Sequence, residues 1–190
     1  MSEGLTTKRL VLRSWRESDR QPFRHLNADP RVMEFMPGTL SAQSSDEVME
    51  RIETHFERNG YGLFAAELSS TNAFIGFIGL AIPNFEAPFM PAVEIGWRLA
   101  AEYWELGLAT EGAREALRYA FEDLAFPEVV SFTVPSNVRS RRVMEKLGMT
   151  HNADDDFDHP MLPEGHPLRR HVLYRLDRGN WMQSKRLRIR

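Results

Sequence analysis

The chain has 190 residues, 42% hydrophobic and 27% charged, a balance that suits one globular domain and argues against wholesale disorder. Lys and Arg number 24 against 27 Asp and Glu, so the formal net charge is -3, without the basic excess of a nucleic-acid binder. Cysteine is absent, which excludes disulfides, thiolate metal sites and a cysteine nucleophile.

The charge is unevenly placed. Residues 178–190 hold five basic groups and no acid, leaving 19 basic against 27 acidic groups in the body, a net of -8. An acidic body favours cationic partners, apart from any local phosphate site. The opening Met1-Ser2-Glu3-Gly4-Leu5-Thr6-Thr7 lacks the basic-then-apolar form of a signal peptide. The longest apolar run, 73–82, is half of the roughly 20 residues that a membrane helix needs. The expectation is a soluble cytoplasmic domain over 5–177, followed by a basic C-terminal tail over 178–190.

Residues 9–15 alternate as a strand, and helical stretches are expected at about 17–27 and 30–35, the second opened by Pro30 and ended by Pro37-Gly38. Ser44 with Glu47 forms a capping-box pattern that opens a helix with Val48, Ile52 and Phe56 on one face. Residues 61–68 and 73–82 read as a strand hairpin turned at Ser69-Ser70-Thr71-Asn72, and 92–99 as a third strand. A helix with one broad apolar face covers 108–124. Residues 129–134 form a strand, 137–147 a helix stopped by Gly148, and 149–157 with 168–176 a closing strand pair. Strands in succession followed by a strand–helix–strand crossover predict an α/β (α+β) fold. Its sheet is single, mixed and mostly antiparallel, with six to seven strands flanked by helices.

One stretch carries chemistry. Glu94-Ile95-Gly96-Trp97-Arg98-Leu99 runs through a short loop into Tyr103-Trp104-Glu105-Leu106-Gly107-Leu108-Ala109-Thr110-Glu111. Small residues at a helix start let a ligand approach backbone amides that have no helical partner, and these amides with the positive helix end suit a pyrophosphate. A plain turn would look the same.

Further on stand Pro135-Ser136-Asn137, Ser140 and Lys146-Leu147-Gly148-Met149. With Thr7-x-Arg9-Leu10-x-Leu12-Arg13 at the start, this ordered set resembles the GNAT superfamily of acyl-CoA-dependent N-acyltransferases. It looks most like the branch containing the ribosomal-protein N-terminal acetyltransferases. The resemblance spans roughly 5–177 and implies acetyl-CoA as co-substrate, with no metal. Its pyrophosphate would rest on the amides of Trp104, Glu105, Leu106, Gly107, Leu108, Ala109 and Thr110. Pantetheine would lie between strands 93–99 and 129–134, meeting Ile95, Trp97 and Leu99, with Asn137, Ser140 and Met144 completing the contacts. The family's loop usually begins with Arg or Gln. Trp104 stands there instead, a departure shared by the branch, which removes one side-chain contact and leaves the amides.

Acyl transfer to an amine needs a base for the amine, a donor for the oxyanion and an acid for the leaving thiolate. Many family members carry a Tyr acid where this chain has Met144. The branch resemblance carries that role to Ser140, whose hydroxyl could equally serve the first helical turn beside Asn137. Glu94 is the preferred base, because a carboxylate beside buried apolar surface has a raised pKa; a structural carboxylate paired with Arg is the alternative. His159 and His171 follow as bases. Residues 151–171 hold four His among several Asp. The spacing matches no metal motif, and 154–166 reads either as an acidic lid over an amine substrate or as a solvated loop. The helices over 17–35, with Phe35 and Met36, would form the other wall of the acceptor site.

The expected activity is acetyl transfer from acetyl-CoA to a primary amine, a small molecule or a protein N-terminus, by direct attack in a ternary complex. A non-catalytic acyl-CoA-binding sensor is the rival reading. Neither a membrane nor a nucleic acid is expected as partner, and a homodimer would fit a family that often dimerises.

Overall fold

Period-two alternation near the N-terminus produces a strand because it places leucines on one side and polar residues on the other. The computed structural model describes residues 4–188, so Met1, Ser2 and Glu3 of the N-terminal reading, and Ile189 and Arg190 of the tail, lie outside the described residues. Two compact units are present. One comprises residues up to Ala81 with Gly96–Ala116, and the other Ile82–Ile95 with the residues from Leu117 onward.

In the first unit, β1 (Leu5–Thr6) pairs antiparallel with β2 (Leu10–Arg13). β2 pairs antiparallel with β3 (Leu63–Leu68), and β3 with β4 (Phe74–Ala81). Alternation sends Leu10, Leu12 and Ile78 to one face and Arg13, Ala65 and Phe77 to the other. Over the second face stand α1 (Arg20–Ala28) and α2 (Ala42–Asn59). Phe23 and Leu26 of α1, with Met49 and Ile52 of α2, bury against Trp15, Ala65 and Phe77. Each such side chain contributes roughly 1.5–3 kcal/mol, which makes this cluster the main hold on the layer. On the same face the Arg13 guanidinium sits between Asp19, at 2.6 Å, and Glu67, at 2.7 Å, all three buried.

The opposite face carries α3 (Leu108–Arg118). A Cβ at Gly112 would stand 2.4 Å from Ile78 Cδ1, so glycine lets the helix approach without moving the ends of Ile78 and Leu10. The start of α3 is tied down from outside the helix. Glu111 Oε1 accepts from the Thr7 hydroxyl at 2.7 Å and from the Arg9 amide at 2.8 Å, while Glu111 Oε2 accepts from Arg9 Nε at 2.7 Å. Arg9 Nη1 reaches on to the Leu106 carbonyl at 2.9 Å. Thr7-x-Arg9 and Thr110-Glu111, far apart in sequence, are therefore two halves of one clamp.

In the second unit, the first residues of β5 (Glu94–Leu99) pair in parallel with β6 (Glu128–Thr133) at Glu94 and Val130. The Val130 amide donates to the Val93 carbonyl and the Ser131 hydroxyl to the Ile95 carbonyl, each at 2.9 Å. β7 (Thr150–His151), β8 (Phe157–Asp158) and β6 all pair antiparallel with β9 (Arg170–Asp177). α4 (Val138–Leu147) is capped by Asn137 and closed by Gly148 at φ 86°. A π-helical turn, Tyr119–Asp123, follows α3. The strands make the mixed, mostly antiparallel sheet expected, with six strands of four or more residues and three of two among the described residues.

Several local expectations change. Residues 30–35 make isolated turns (Met33 N to Asp29 O, Met36 N to Met33 O) rather than a helix. α2 is capped by Ser41, whose hydroxyl accepts from Ser44 N at 3.1 Å; Ser44 is thus the third helical residue, and the helix begins three residues earlier than its Ser44–Glu47 pattern suggests. The strand expected over 149–157 is broken into β7 and β8 by a 3-10 turn at Ala153–Asp155, fastened by Arg175 to Asp155. The described part of the basic tail forms a helix, α5 (Arg178–Arg188). Its Trp181 is buried against Phe121 and donates to Glu122, which also binds Lys185 at 2.7 Å. No helix among the described residues is long and apolar enough to cross a membrane.

Two predictions follow from the first unit. Gly76 has φ 137° at the β3–β4 bulge, and a Cβ there would lie 2.0 Å from the Arg98 carbonyl. Gly76→Ala is expected to cost at least about 2 kcal/mol in denaturant unfolding, and an unchanged midpoint would show that β5 yields freely. Burial alone would raise the Glu111 pKa, but Thr7 and Arg9 more than offset it, so the folded value lies below the ordinary 4.5. Its contribution is therefore full above the unfolded value and is lost as pH falls through the lower folded one. Glu111→Gln is expected to cost about 1 kcal/mol at neutral pH and almost nothing in strong acid, checked by urea titrations at both pH values.

Candidate active site

The loop that enters α3 has the backbone form of an anion cradle. Glu105 and Gly107 both adopt left-handed conformations, φ 60° and 78°, a strained choice for the glutamate. At Gly107 an added Cβ would meet only Arg9 Nη2, at 3.6 Å, so conformation rather than space calls for glycine. The first helical bond of α3 runs from Glu111 N to Gly107 O. The amides of Leu108, Ala109 and Thr110 therefore enter the helix without an intrahelical acceptor. Glu105, Leu106 and Gly107 are exposed, Ala109 and Thr110 half-buried, and Leu108 buried as an anchor. Trp104 turns back, its indole N–H donating to the Leu99 carbonyl at 2.8 Å. It fastens the loop to the end of β5, and the guanidinium beside the loop comes from Arg9 instead.

In the second unit, the Asn137 side chain is engaged at both ends: Oδ1 accepts from Ser140 N at 3.2 Å and Nδ2 donates to Thr133 Oγ1 at 3.0 Å. Asn137 therefore performs the capping that Ser140 was also able to perform. The Ser140 hydroxyl is half-buried and makes no hydrogen bond to any described residue. Met144, one turn on, is buried in the core. Arg141 is tied to Tyr174 and to the Pro135 carbonyl.

Glu94 answers the alternative posed for it. Its carboxyl has no ion pair or hydrogen bond among the described residues, so it is not a carboxylate paired with Arg. It keeps some solvent access at the residue level, yet its carboxyl lies deep enough that burial pushes the pKa up to about 8. His159 and His171 also lie in the second unit, their ring centroids 5.1 Å apart and packed against Phe85, Phe132 and Phe157. Burial lowers both pKa values, and His159 is lowered further by His171. His159 Nδ1 accepts from Met161 N, and His171 Nδ1 faces the Arg169 carbonyl at 3.1 Å. Both histidines belong to an aromatic cluster. Three of the five acids of 154–166 have side-chain partners: Asp155 with Arg175, Asp156 with His151, and Asp158 with Arg169 and Arg170. Asp155 and Asp158 are thereby matched by arginine charge. No group of His, Cys, Asp and Glu suited to a metal ion occurs among the described residues.

Ile95 is buried with its carbonyl already bonded to Ser131, Leu99 is buried and Trp97 half-buried. Sequence reading missed Arg98, whose guanidinium lies among α1, β4 and the segment after α1. An arginine between Trp97 and Leu99 in a strand was the available signal.

The family model described as an acetyltransferase (GNAT) domain matches residues 9–150. FsC-acetyl coenzyme A-N(2)-transacetylase of Aspergillus fumigatus is 36% identical over 121 residues, 60% of this chain and 49% of that protein, so the match spans about half of that relative's length. A solved acetyltransferase from Agrobacterium tumefaciens superposes with a TM-score of 0.74 at 29% identity, covering 93% of this chain and 95% of that one. The ribosomal-protein-S5-alanine acetyltransferase of Vibrio fischeri has a TM-score of 0.74 at 14% identity, covering 95% and 99%, and shares the fold. With the strand order and helix-start loop described above, the match over 9–150 places the chain in the GNAT family of N-acetyltransferases.

Proposed function

We propose that the protein transfers the acetyl group of acetyl-CoA to a primary amine by direct attack, without a covalent enzyme intermediate. The observation that carries this reading is the loop at 104–110, whose left-handed Glu105 and Gly107 lead into three helix-start amides with no helical acceptor. That backbone fits a pyrophosphate. Trp104, Glu105, Leu106, Gly107, Leu108, Ala109 and Thr110 would hold it, and Ile95, Trp97, Leu99, Asn137 and Met144 would serve the rest of the cofactor. When bound, acetyl-CoA supplies an activated thioester.

The chain's own groups would do the proton work. Ser140, with a hydroxyl that nothing else in the described structure uses, donates to the departing sulfur. Glu94 takes the proton from the amine. Its raised pKa keeps it a stronger base than an ordinary carboxylate, at the cost of being only partly ionised at neutral pH. The branch of ribosomal-protein N-terminal acetyltransferases supplies one class of acceptor and small-molecule amines the other. A homodimer and a cytoplasmic setting complete the reading.

Calorimetry with acetyl-CoA and a thiol-release assay over amines test this together. Binding with release is expected, binding without release would favour the sensor reading, and no binding at millimolar acetyl-CoA would end both. Ser140→Ala is expected to lower kcat roughly ten- to a thousandfold with acetyl-CoA affinity nearly unchanged; wild-type kcat would remove the serine from the mechanism. For Glu94, kcat/KM is expected to rise with pH through a limb near 8 that Glu94→Gln flattens. The same residue leaves a mark on stability. The folded state holds a proton that the unfolded chain releases above about 4.5, so stability falls between pH 4.5 and 8 in wild type. Urea midpoints of Glu94→Gln are expected to lack that decline.

A further inference from the structure

Several arginines with restricted solvent access are matched by carboxylates. Arg13 lies between Asp19 and Glu67, and the half-buried Arg175 between Asp155 and Glu128. Arg98, half-buried in the first unit, meets no carboxylate among the described residues. Its Nη1 donates to Asn27 Oδ1 at 2.7 Å and its Nη2 to Met36 Sδ at 3.4 Å, while Cζ stands 5.4 Å from the centroid of the Phe77 ring. All three are neutral. A guanidinium has five N–H donors, so Nε and part of each Nη remain unused.

Stability alone does not account for this. Withdrawing a cation from water without a counter-charge is unfavourable, and an apolar residue of similar volume would serve the packing better. Burial lowers the Arg98 pKa to about 10, so the group stays charged near neutrality. Its setting is also prepared. Asn27 and Ser45 are fully buried, and Asn27 Nδ2 donates to Ser45 Oγ at 2.9 Å, which leaves Asn27 Oδ1 aimed at Arg98. The site is reachable. Arg98 keeps partial solvent access, and its partner Met36 is 38% exposed. A planar fork held from one side and open on the other matches a carboxylate, which it can bind through two parallel bonds.

We infer that Arg98 receives a carboxylate of the acetyl acceptor, so that the substrate class is a small amine that also carries a carboxylate. This deepens the proposed acetyl transfer and rests on it. The other anion in that reaction is a phosphate of the cofactor, and the test separates the two.

The experiment compares amino acids with their carboxamides as acceptors in the thiol-release assay. In parallel, calorimetry compares N-acetyl amino acids with N-acetyl amino acid amides, a readout that needs no turnover. Wild type is expected to favour the carboxylate by roughly ten- to a hundredfold in KM and in product affinity. In Arg98→Met the ratio is expected to collapse towards one, and in Arg98→Lys to persist at reduced size. A wild-type ratio near one overturns the inference, whatever the variants do, and so does a ratio that survives in Arg98→Met. Loss of acetyl-CoA affinity in Arg98→Met with the ratio intact overturns it in favour of a cofactor phosphate. Equal thiol release from acids and amides would leave the proposed acetyl transfer standing and remove only this inference. Absence of acetyl-CoA binding would remove the former, while the product arm still reports on Arg98.

Discussion

The Glu111 carboxylate is the constraint on which the helix-start loop depends. It accepts from Thr7 Oγ, Arg9 N and Arg9 Nε, and Arg9 continues to the Leu106 carbonyl. A helix that begins without a side-chain cap leaves its first turn free to fray. Here that turn is held by a strand turn about a hundred residues earlier in the chain, and Gly112 lets α3 sit hard against Leu10 and Ile78. Glu111 also lies in the first turn of α3, where a negative charge favours the helix dipole. With the helix start fixed, Glu105 and Gly107 are kept in their left-handed conformations and the amides that follow stay open.

Polar groups in the rest of the molecule divide by whether the fold satisfies them. Asn137, Trp104, Arg13, Asp19 and Glu67 all have complete local roles, and each is structural in the plain sense that it holds one element to another. Ser140, Glu94 and Arg98 differ. Each is at least half-buried, and each keeps capacity that no described neighbour takes up. Buried polar groups are ordinarily hydrogen-bonded, so such residues point to chemistry supplied from outside the chain. Their three types, a hydroxyl, a carboxylate with a raised pKa and a guanidinium, suit an acid, a base and an anion receptor.

Much of the fold was legible in the sequence because its signals are local. The β3–β4 hairpin, the apolar face of α3, and α4 between Asn137 and Gly148 follow from alternation, helical spacing and caps. Failures occurred where local signals compete. Ser41 and Ser44 are both plausible caps, and the chain uses Ser41 because a helix from Ala42 carries Ser45, fully buried, to Asn27. The basic tail is dense in charge, yet Trp181 supplies an apolar face and Glu122 a counter-charge, and α5 packs on the body. Acids in 154–166 looked free because their arginine partners, Arg169, Arg170 and Arg175, come later in the chain.

By itself the sequence determined the exclusion of cysteine chemistry, the order of the longer strands and of α2 to α4, and the ordered motifs that mark the GNAT family. Those depend on residue type and spacing, which the chain carries without folding. Only the tertiary structure decided which of the motif residues are spent and which are spare. Thr7, Arg9 and Glu111 turn out to belong to one clamp, Asn137 to relieve Ser140 of capping, and Glu94 to lack the arginine that would have made it structural. The reason is physical: hydrogen bonds and ion pairs join groups that are distant in sequence, so whether a polar side chain is satisfied cannot be read until its neighbours are in place.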